Sequence, residues 1–230
     1  MAGRYPAAAD DVKMNGKRLG WVHPIDPVRE NGMDTTNTQV LRDVVVIAGS
    51  QGATEALRKL LARLPADFPA AVLIVIHTNP SGPDYLASVL GRYSTLPVGY
   101  GKEGEPVLPG RVYLAPADRH LEIVSPGIIH LDDGPKVKLA RPAADRLFTT
   151  AAEVFRERVI SLVLSGGDSD GADGAVEVRN AGGLSFVQRP DEAPVPSMPI
   201  ETMRKTILSP QLSAEEMADA LIKAVGSVHS

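Results

Sequence analysis

The sequence contains no cysteine among its 230 residues, which excludes disulfides, thiolate catalysis and thiolate metal sites. It also lacks a long hydrophobic run, because the longest, residues 70–76, falls far short of the roughly 20 residues that span a bilayer. Basic residues are not in excess either: the net charge is −4, so nucleic acid is not expected as a partner. The first residues have no apolar segment typical of a secretory signal. These absences predict a cytoplasmic protein that does not insert into a membrane.

The first forty residues differ from the rest, since Pro, Gly, Asn and Thr interrupt any hydrophobic period there. We therefore predict a flexible tail or linker over residues 1–40 and one domain over residues 41–230. In that domain, apolar runs typical of buried strands alternate with helical periodicity. This alternation predicts an α/β fold, a doubly wound and mostly parallel sheet with helices on both faces. Three short segments in the middle of the chain predict a small antiparallel β-hairpin insertion: residues 111–114, 120–124 and 128–131.

Helical patterns fall between the apolar runs. The last one has a clear start, because Ser213 is followed three residues later by Glu216, the spacing of a capping box. Helices are predicted over residues 54–64, 85–92, 144–156 and 175–180, and from residue 213 onward.

Three apolar runs each end in residues that acyl-transfer chemistry uses. The first leads to Ser50, the second to His77, and the third to the glycine-rich acidic loop at residues 165–171. Because the carboxyl ends of parallel strands meet at one edge of a sheet, where open α/β folds place their sites, these residues should converge. A serine, a histidine and an aspartate there predict a hydrolase.

The serine loop, Ala-Gly-Ser-Gln-Gly at residues 48–52, differs by one residue from the G-x-S-x-G nucleophile turn. Small neighbours expose the Ser50 hydroxyl, and the following helix offers free N–H groups for an oxyanion. The same donors suit a phosphate, so a nucleotide-binding loop is an alternative, as is a plain structural turn. A dinucleotide site would have an acidic residue at the end of the second strand, but that strand ends in His77.

The third loop offers Asp168, Asp170 and Asp173 as partners for the histidine, and their spacing does not choose among them. The loop does not have the spacing of an EF-hand calcium loop, and a solvated turn is the simplest alternative. No metal or cofactor is expected. The other histidines are interpreted as structural or solvated: His23, His120, His130 and His229.

With this order of Ser, His and Asp, the chain resembles the catalytic domain of the CheB chemotaxis methylesterases, from about residue 44 to residue 206. Beyond the Ser50 loop and His77, the resemblance rests on residues 108–116, Arg119, His120, Leu121, Pro142, Asp145, Leu147, Phe148, residues 170–172, Gln188, Met198 and Pro199.

The resemblance implies hydrolysis of glutamate methyl esters on chemoreceptors or related signalling proteins, and deamidation of glutamines. By the same resemblance Ser50 is the nucleophile, His77 the base and Asp170 the acid that orients it. Backbone N–H groups of Gln51 and Gly167 are the expected oxyanion donors. The oligomeric state is not indicated.

The chain departs from the family pattern at several positions. Ala53 replaces a glycine, Thr78 replaces a methionine after the histidine, and Gly167 replaces a methionine in the third loop. Asp168 stands where the family has glycine, and a second carboxylate near His77 should raise the pKa of the imidazole. The first forty residues are too short for the family's receiver domain, so we expect no control by phosphorylation within this chain. An impaired site would leave a non-catalytic signalling or binding module on the same fold as the alternative.

Overall fold

The computed structural model describes residues 13–14, 17–18, 41–77, 85–207 and 209–225. The chain divides into two units, residues 1–36 and residues 37–230. In the first, β1 (Lys13–Met14) pairs antiparallel with β2 (Lys17–Arg18). Otherwise the predicted tail, residues 1–40, lies outside the described residues, as do His23, Thr78 and His229.

The second unit is built on a seven-stranded sheet in the order β11-β10-β9-β3-β4-β6-β5, with every neighbouring pair parallel. Its central strands are fully buried, because helices cover both faces, and this explains their unbroken apolar sequences. The strands are β3 (Val44–Gly49), β4 (Ala71–Ile76), β5 (Val98–Tyr100), β6 (Arg111–Leu114), β9 (Val159–Val163), β10 (Leu184–Gln188) and β11 (Gln211–Leu212).

Alternate residues of each central strand enter two separate cores. Val45 and Ile47 pack into one core with helices α1, α2 and α6, whereas Val44 and Val46 pack into the other with α3, α4 and α5. The helices are α1 (Ala53–Arg63), α2 (Leu86–Gly91), α3 (Ala144–Phe155), α4 (Ala172–Asn180), α5 (Ser197–Lys205) and α6 (Ala214–Val225), with a short 3-10 turn at Arg156–Arg158. The predicted α/β fold is therefore confirmed.

The predicted antiparallel insertion is a hairpin of β7 (His120–Val124) and β8 (Ile128–Asp132). One detail of that prediction was wrong. The segment Arg111–Leu114 is β6 of the main sheet, parallel to both β4 and β5. Its apolar positions, Val112 and Leu114, pack into the same core as α1, so it is held by the sheet rather than by the hairpin.

The predicted capping box is present at the start of α6. The Ser213 N–H donates to Glu216 Oε2 at 2.7 Å, and the Glu216 N–H donates to Ser213 Oγ at 3.1 Å. Both orphan donors are thus satisfied reciprocally.

The chain order places a crevice at the middle of the sheet. From β3 the chain proceeds outward through β4, and it later returns on the other side of β3 as β9. The strand order reverses at that point, and ligands of open α/β sheets bind there, beyond the carboxyl ends of the strands.

Candidate active site

Ser50 lies between the end of β3 and the start of α1. Its N–H donates to the Ser165 carbonyl at 2.9 Å, which ties the serine loop to the loop after β9. Gly52 has φ of 85°, a left-handed conformation that turns the chain sharply into the helix. The turn leaves Ser50 half-buried at the sheet edge.

Gly166 allows close approach behind Ser50. A Cβ atom on Gly166 would lie 2.9 Å from Ser50 Cβ and 2.0 Å from Met198 Sδ. The Gly166 N–H donates to the Val195 carbonyl at 2.8 Å. Only glycine fits here, because a side chain would displace both the serine and α5.

His77 follows β4 and lies beside the serine loop, because its backbone N–H donates to the Gly49 carbonyl at 3.2 Å. The side chain is only 15% exposed, and each ring nitrogen contacts a different carboxylate. His77 Nδ1 lies 3.1 Å from Asp168 Oδ2, and His77 Nε2 lies 2.8 Å from Asp170 Oδ2. Two of the three predicted candidates therefore contact the imidazole.

Asp170 is held rigidly by the backbone around it. Its side chain is 0% exposed, and its carboxylate accepts N–H bonds from Ala144 at 2.6 Å, Asp145 at 2.9 Å and Gly171 at 3.0 Å. These bonds satisfy a buried carboxylate and fix its direction toward His77.

Asp168 is held more loosely. Its side chain is 37% exposed, and among the described residues its hydrogen-bond partners are His77 and the Asp170 N–H, which donates to Asp168 Oδ1 at 2.9 Å. The two aspartates thus differ in anchoring, although both contact the same ring.

The two carboxylates change the proton affinity of the histidine. Burial opposes protonation of His77, but the hydrogen bonds and charges of Asp168 and Asp170 outweigh it and raise the pKa of His77 to about 9. Burial likewise disfavours the charged form of Asp168, yet His77 and the Asp170 N–H hold the pKa of Asp168 below its ordinary value. The predicted effect of Asp168 on the histidine is confirmed in direction.

The predicted nucleophile is Ser50, and the predicted oxyanion donors are the N–H groups of Gln51 and Gly167. Within residues 41–77 and 85–207, the Ser50 hydroxyl makes no hydrogen bond with His77, whose Nδ1 faces Asp168. In the same residues, the N–H groups of Gln51 and Gly167 donate to no other group. The structure therefore brings the residues that follow β3, β4 and β9, with Ser50, His77 and Asp170 among them, to one edge of the sheet.

Asp173, the third predicted candidate, points elsewhere. It binds Lys138 at 2.7 Å and Lys205 at 2.5 Å, and both ion pairs lower the pKa of Asp173. Lys138 also donates to the Ser169 carbonyl at 3.1 Å, and this bond stabilises the loop that carries Asp168 and Asp170. Nothing in the sequence singles out Lys138, because its contacts with this loop, at Ser169 and Asp173, cross more than thirty residues.

Two other histidines have structural surroundings, as predicted. His120 is fully buried, with Nε2 3.1 Å from the Pro135 carbonyl and Nδ1 accepting the Ala143 N–H at 3.1 Å. His130 lies 3.2 Å from Glu103 at the surface. Across the described ranges, no cluster of His, Asp or Glu side chains is arranged to hold a metal ion. None of the helices described there is long and apolar enough to cross a membrane.

A family model described as CheB methylesterase matches residues 45–221, which include the whole site. The chain belongs to the CheB methylesterase family. A protein-glutamate methylesterase/protein-glutamine glutaminase of Methanosarcina acetivorans is 36% identical over 226 residues, covering 93% of this chain and 64% of the relative. A protein-glutamate methylesterase/protein-glutamine glutaminase of Caulobacter vibrioides is 41% identical over 155 residues, covering 66% of this chain and 44% of the relative.

The structural comparison agrees with the CheB assignment. The crystal structure of the Thermotoga maritima CheB methylesterase catalytic domain matches with a TM-score of 0.76 and 33% identity, covering 80% of this chain and 99% of that one. The chain spans 64%, 52% and 51% of the length of three curated CheB relatives. The likeness is therefore to the catalytic part of those longer proteins.

Proposed function

We propose that this protein is a serine esterase that hydrolyses glutamate methyl esters on a signalling receptor, and that it also deamidates receptor glutamines. The observation that carries the proposal is the bond between His77 and the buried Asp170, beside Ser50 at the switch point of a CheB-family sheet. The substrate class is that of the relatives, which are named protein-glutamate methylesterase/protein-glutamine glutaminase.

Ser50 is the proposed nucleophile, His77 the base and Asp170 the group that orients the imidazole. Asp170 suits that role because its three backbone N–H bonds hold its carboxylate in place, aimed at Nε2. Nδ1 is then the nitrogen left for the serine proton. The N–H groups of Gln51 and Gly167 are the proposed oxyanion donors, each of which is worth roughly 3 kcal/mol of the barrier.

The reaction divides into two displacements. Ser50 Oγ attacks the ester carbonyl while its proton passes to His77 Nδ1, and the negative oxygen lies in the oxyanion site. The tetrahedral intermediate then collapses and its bond to the methoxy group breaks. The methoxy group takes the proton from His77 and leaves as methanol. Water then attacks the glutamyl-serine ester with His77 again as base, and Ser50 and a glutamate carboxylate are released. With a glutamine, ammonia leaves in place of methanol.

Methanol release from a methylated chemoreceptor tests this proposal. We expect the wild-type chain to release methanol and Ser50→Ala to release none above the background. A matched control is Ser209→Ala, a serine distant in the fold from β3 and β4, which should retain the wild-type rate. Equal rates for wild type and Ser50→Ala would contradict the proposal.

One observation favours a second candidate, a binding module without catalysis. Nδ1 of His77 contacts Asp168 and not Ser50 in this structure. A serine-reactive organophosphonate separates the two candidates, because an active site labels at Ser50 and His77→Ala abolishes the labelling. No labelling at any pH would favour the binding module.

The setting of the reaction follows from the proposed substrate. Because the chain belongs to the CheB methylesterase family, a cytoplasmic location is proposed for it together with a role in chemotaxis or a related pathway. Fractionation of the cells and co-purification with a methylated receptor would test both.

A further inference from the structure

The contacts of His77 carry an inference about how the site is switched on. A neutral imidazole has one N–H donor and one acceptor nitrogen, whereas both nitrogens donate only in the imidazolium. Here Nδ1 faces Asp168 and Nε2 faces Asp170, and an ionised carboxylate can only accept. The arrangement therefore fits a doubly protonated ring, which cannot take a proton from a serine.

From this geometry we propose that Asp168 is a positioning residue that competes with Ser50 for His77 Nδ1 and must leave that nitrogen before catalysis begins. The inference rests on the proposed function of Ser50 and His77 and adds a control step to it.

The anchoring of the two aspartates makes such a step feasible. Asp170 is fully buried and held by three backbone N–H groups, so it stays in place. Asp168 is 37% exposed and, within the described part of the chain, accepts one backbone bond besides its contact with His77, so its carboxylate can rotate toward water.

Loss of one proton from the His77 ring frees Nδ1 for the serine. The imidazolium loses its Nδ1 proton to solvent, and the lone pair that remains repels the Asp168 carboxylate, because both are now acceptors. Asp168 turns away, and the Ser50 hydroxyl donates to Nδ1 in its place. On attack, the Ser50 proton moves to Nδ1 and regenerates the imidazolium, which later protonates the leaving group.

Both aspartates favour the imidazolium, but Asp168 is the carboxylate that contacts Nδ1 and therefore stabilises the proton on that nitrogen. Asp168 and Asp170 face the imidazole from the loop after β9, and Lys138 reaches Asp168 electrostatically from the loop before α3. The raised pKa of His77, about 9, agrees with this arrangement. At pH 7 such a histidine is neutral in about 1% of molecules.

The test is the rate at which an organophosphonate labels Ser50 between pH 6 and pH 10, with the full chain. Asp168→Asn removes the charge, and Asp168→Gly removes the competing side chain. For wild type we expect labelling to rise with pH toward a midpoint near 9. In both variants the midpoint should fall by a pH unit or more, so that labelling at pH 7 is about tenfold faster. At pH 10 the three proteins should label at rates within about threefold of one another, because His77 is neutral in all of them.

Asp191→Asn is the matched control. It removes one negative charge from an exposed aspartate in the loop after β10, away from His77, and its profile should superimpose on that of wild type. A parallel titration of the His77 ring protons by NMR, assigned by their loss in His77→Gln, reports the proton affinity without any reaction.

The outcomes are distinct. If Ser50 labels but neither Asp168 variant shifts the midpoint, or if the NMR midpoint stays at the wild-type value, the competition proposed here is wrong. If the NMR midpoint falls but labelling at pH 7 does not accelerate, Nδ1 is not the limiting group and the proposal is also wrong. If Ser50 labels in no variant at any pH, the proposed function fails, and the NMR midpoints alone then decide whether Asp168 holds the proton.

Discussion

At the scale of single residues, the proton affinity of His77 depends on the positions of two carboxylates, one at each ring nitrogen. Asp170 is buried and bonded to the backbone, and Asp168 is partly exposed and bonded mainly to His77. Both stabilise the charged imidazole, so His77 is bound more tightly to its proton than an ordinary histidine. Protonation of one ring is therefore linked to the stability of the fold.

The linkage gives a pH-dependent stability. The pKa of His77 is raised from 6.5 to about 9 in the folded protein, so its contribution is fully present below pH 6.5 and is lost as the pH rises through 9. At roughly 1.4 kcal/mol per pKa unit, the contribution is of the order of 3 kcal/mol. This contribution of His77 to the free energy of unfolding is measured by denaturant unfolding of wild type and His77→Gln at pH 6 and pH 10.

We expect the difference in free energy of unfolding between the two proteins to shrink by about 2–3 kcal/mol between pH 6 and pH 10. A difference that stayed constant, or grew with pH, would contradict the assigned protonation of His77.

Ser50 and His77 were predictable because each directly follows an apolar run, and the end of a buried strand is recognisable from composition. The choice between Asp168 and Asp170 was not predictable from spacing. They are two residues apart in a glycine-rich loop, and only the folded backbone shows that both reach the same ring from opposite sides. The resemblance to the family chose Asp170, and the role of Asp168 needed the structure.

At the scale of elements, two adjacent glycines in the loop after β9 have different surroundings. A Cβ on Gly166 would collide with Met198 and Ser50, whereas a Cβ on Gly167 would meet only Val195 Cγ1, at an ordinary 3.7 Å. The contact between this loop, α5 and the serine turn therefore depends on one glycine and not on the next.

Gly166→Ala should destabilise the protein by about 1–3 kcal/mol, because overpacking forces the neighbouring elements apart. It should also slow labelling of Ser50. Gly167→Ala, one residue away, should leave the free energy of unfolding within about 0.5 kcal/mol of wild type or raise it slightly. Chemical denaturation measures the free energy of unfolding of both variants. Equal destabilisation would show that close packing at Gly166 does not set it apart from Gly167.

The elements that sequence patterns predicted correctly have strong internal signals. The six-residue strands β3 and β4 are continuous apolar runs, and α6 has a capping box. The three-residue strand β5 has no such signal, and β6 was misassigned because four residues between loops fit a hairpin as well as a sheet. α5 was missed because Pro199 lies in its first turn, where proline is tolerated but resembles a loop residue.

At the scale of the whole molecule, the parallel sheet is shared by two cores. Leu221 of α6 is buried on one face and Leu147 of α3 on the other, and both are 0% exposed. Because the same strands contribute alternate side chains to both layers, neither layer has a sheet of its own. Unfolding of one face should therefore unfold the other.

We expect Leu221→Ala and Leu147→Ala each to lower the free energy of unfolding by about 2–5 kcal/mol. Both should shift a single transition rather than split it, as monitored by far-UV circular dichroism. Ile222→Ala, a change at a partly exposed neighbour on α6, should cost less than about 1 kcal/mol. Two separate transitions in either core variant would contradict the shared-sheet account.

The bonds that Asp170 accepts from Ala144 and Asp145 have a consequence beyond orienting a histidine. They come from the first turn of α3, whose own N-cap residue, Ala143, offers no side-chain acceptor. Asp170 thus serves as the helix cap from a distant part of the sequence, a contribution of about 1 kcal/mol in other helices. A substitution of Asp170 would therefore combine any loss of the proposed chemistry with fraying of α3, whereas a substitution of the proposed nucleophile, Ser50, would leave this cap in place. Because one carboxylate serves both the proposed site and the helix, the chain cannot lose Asp170 without loosening α3.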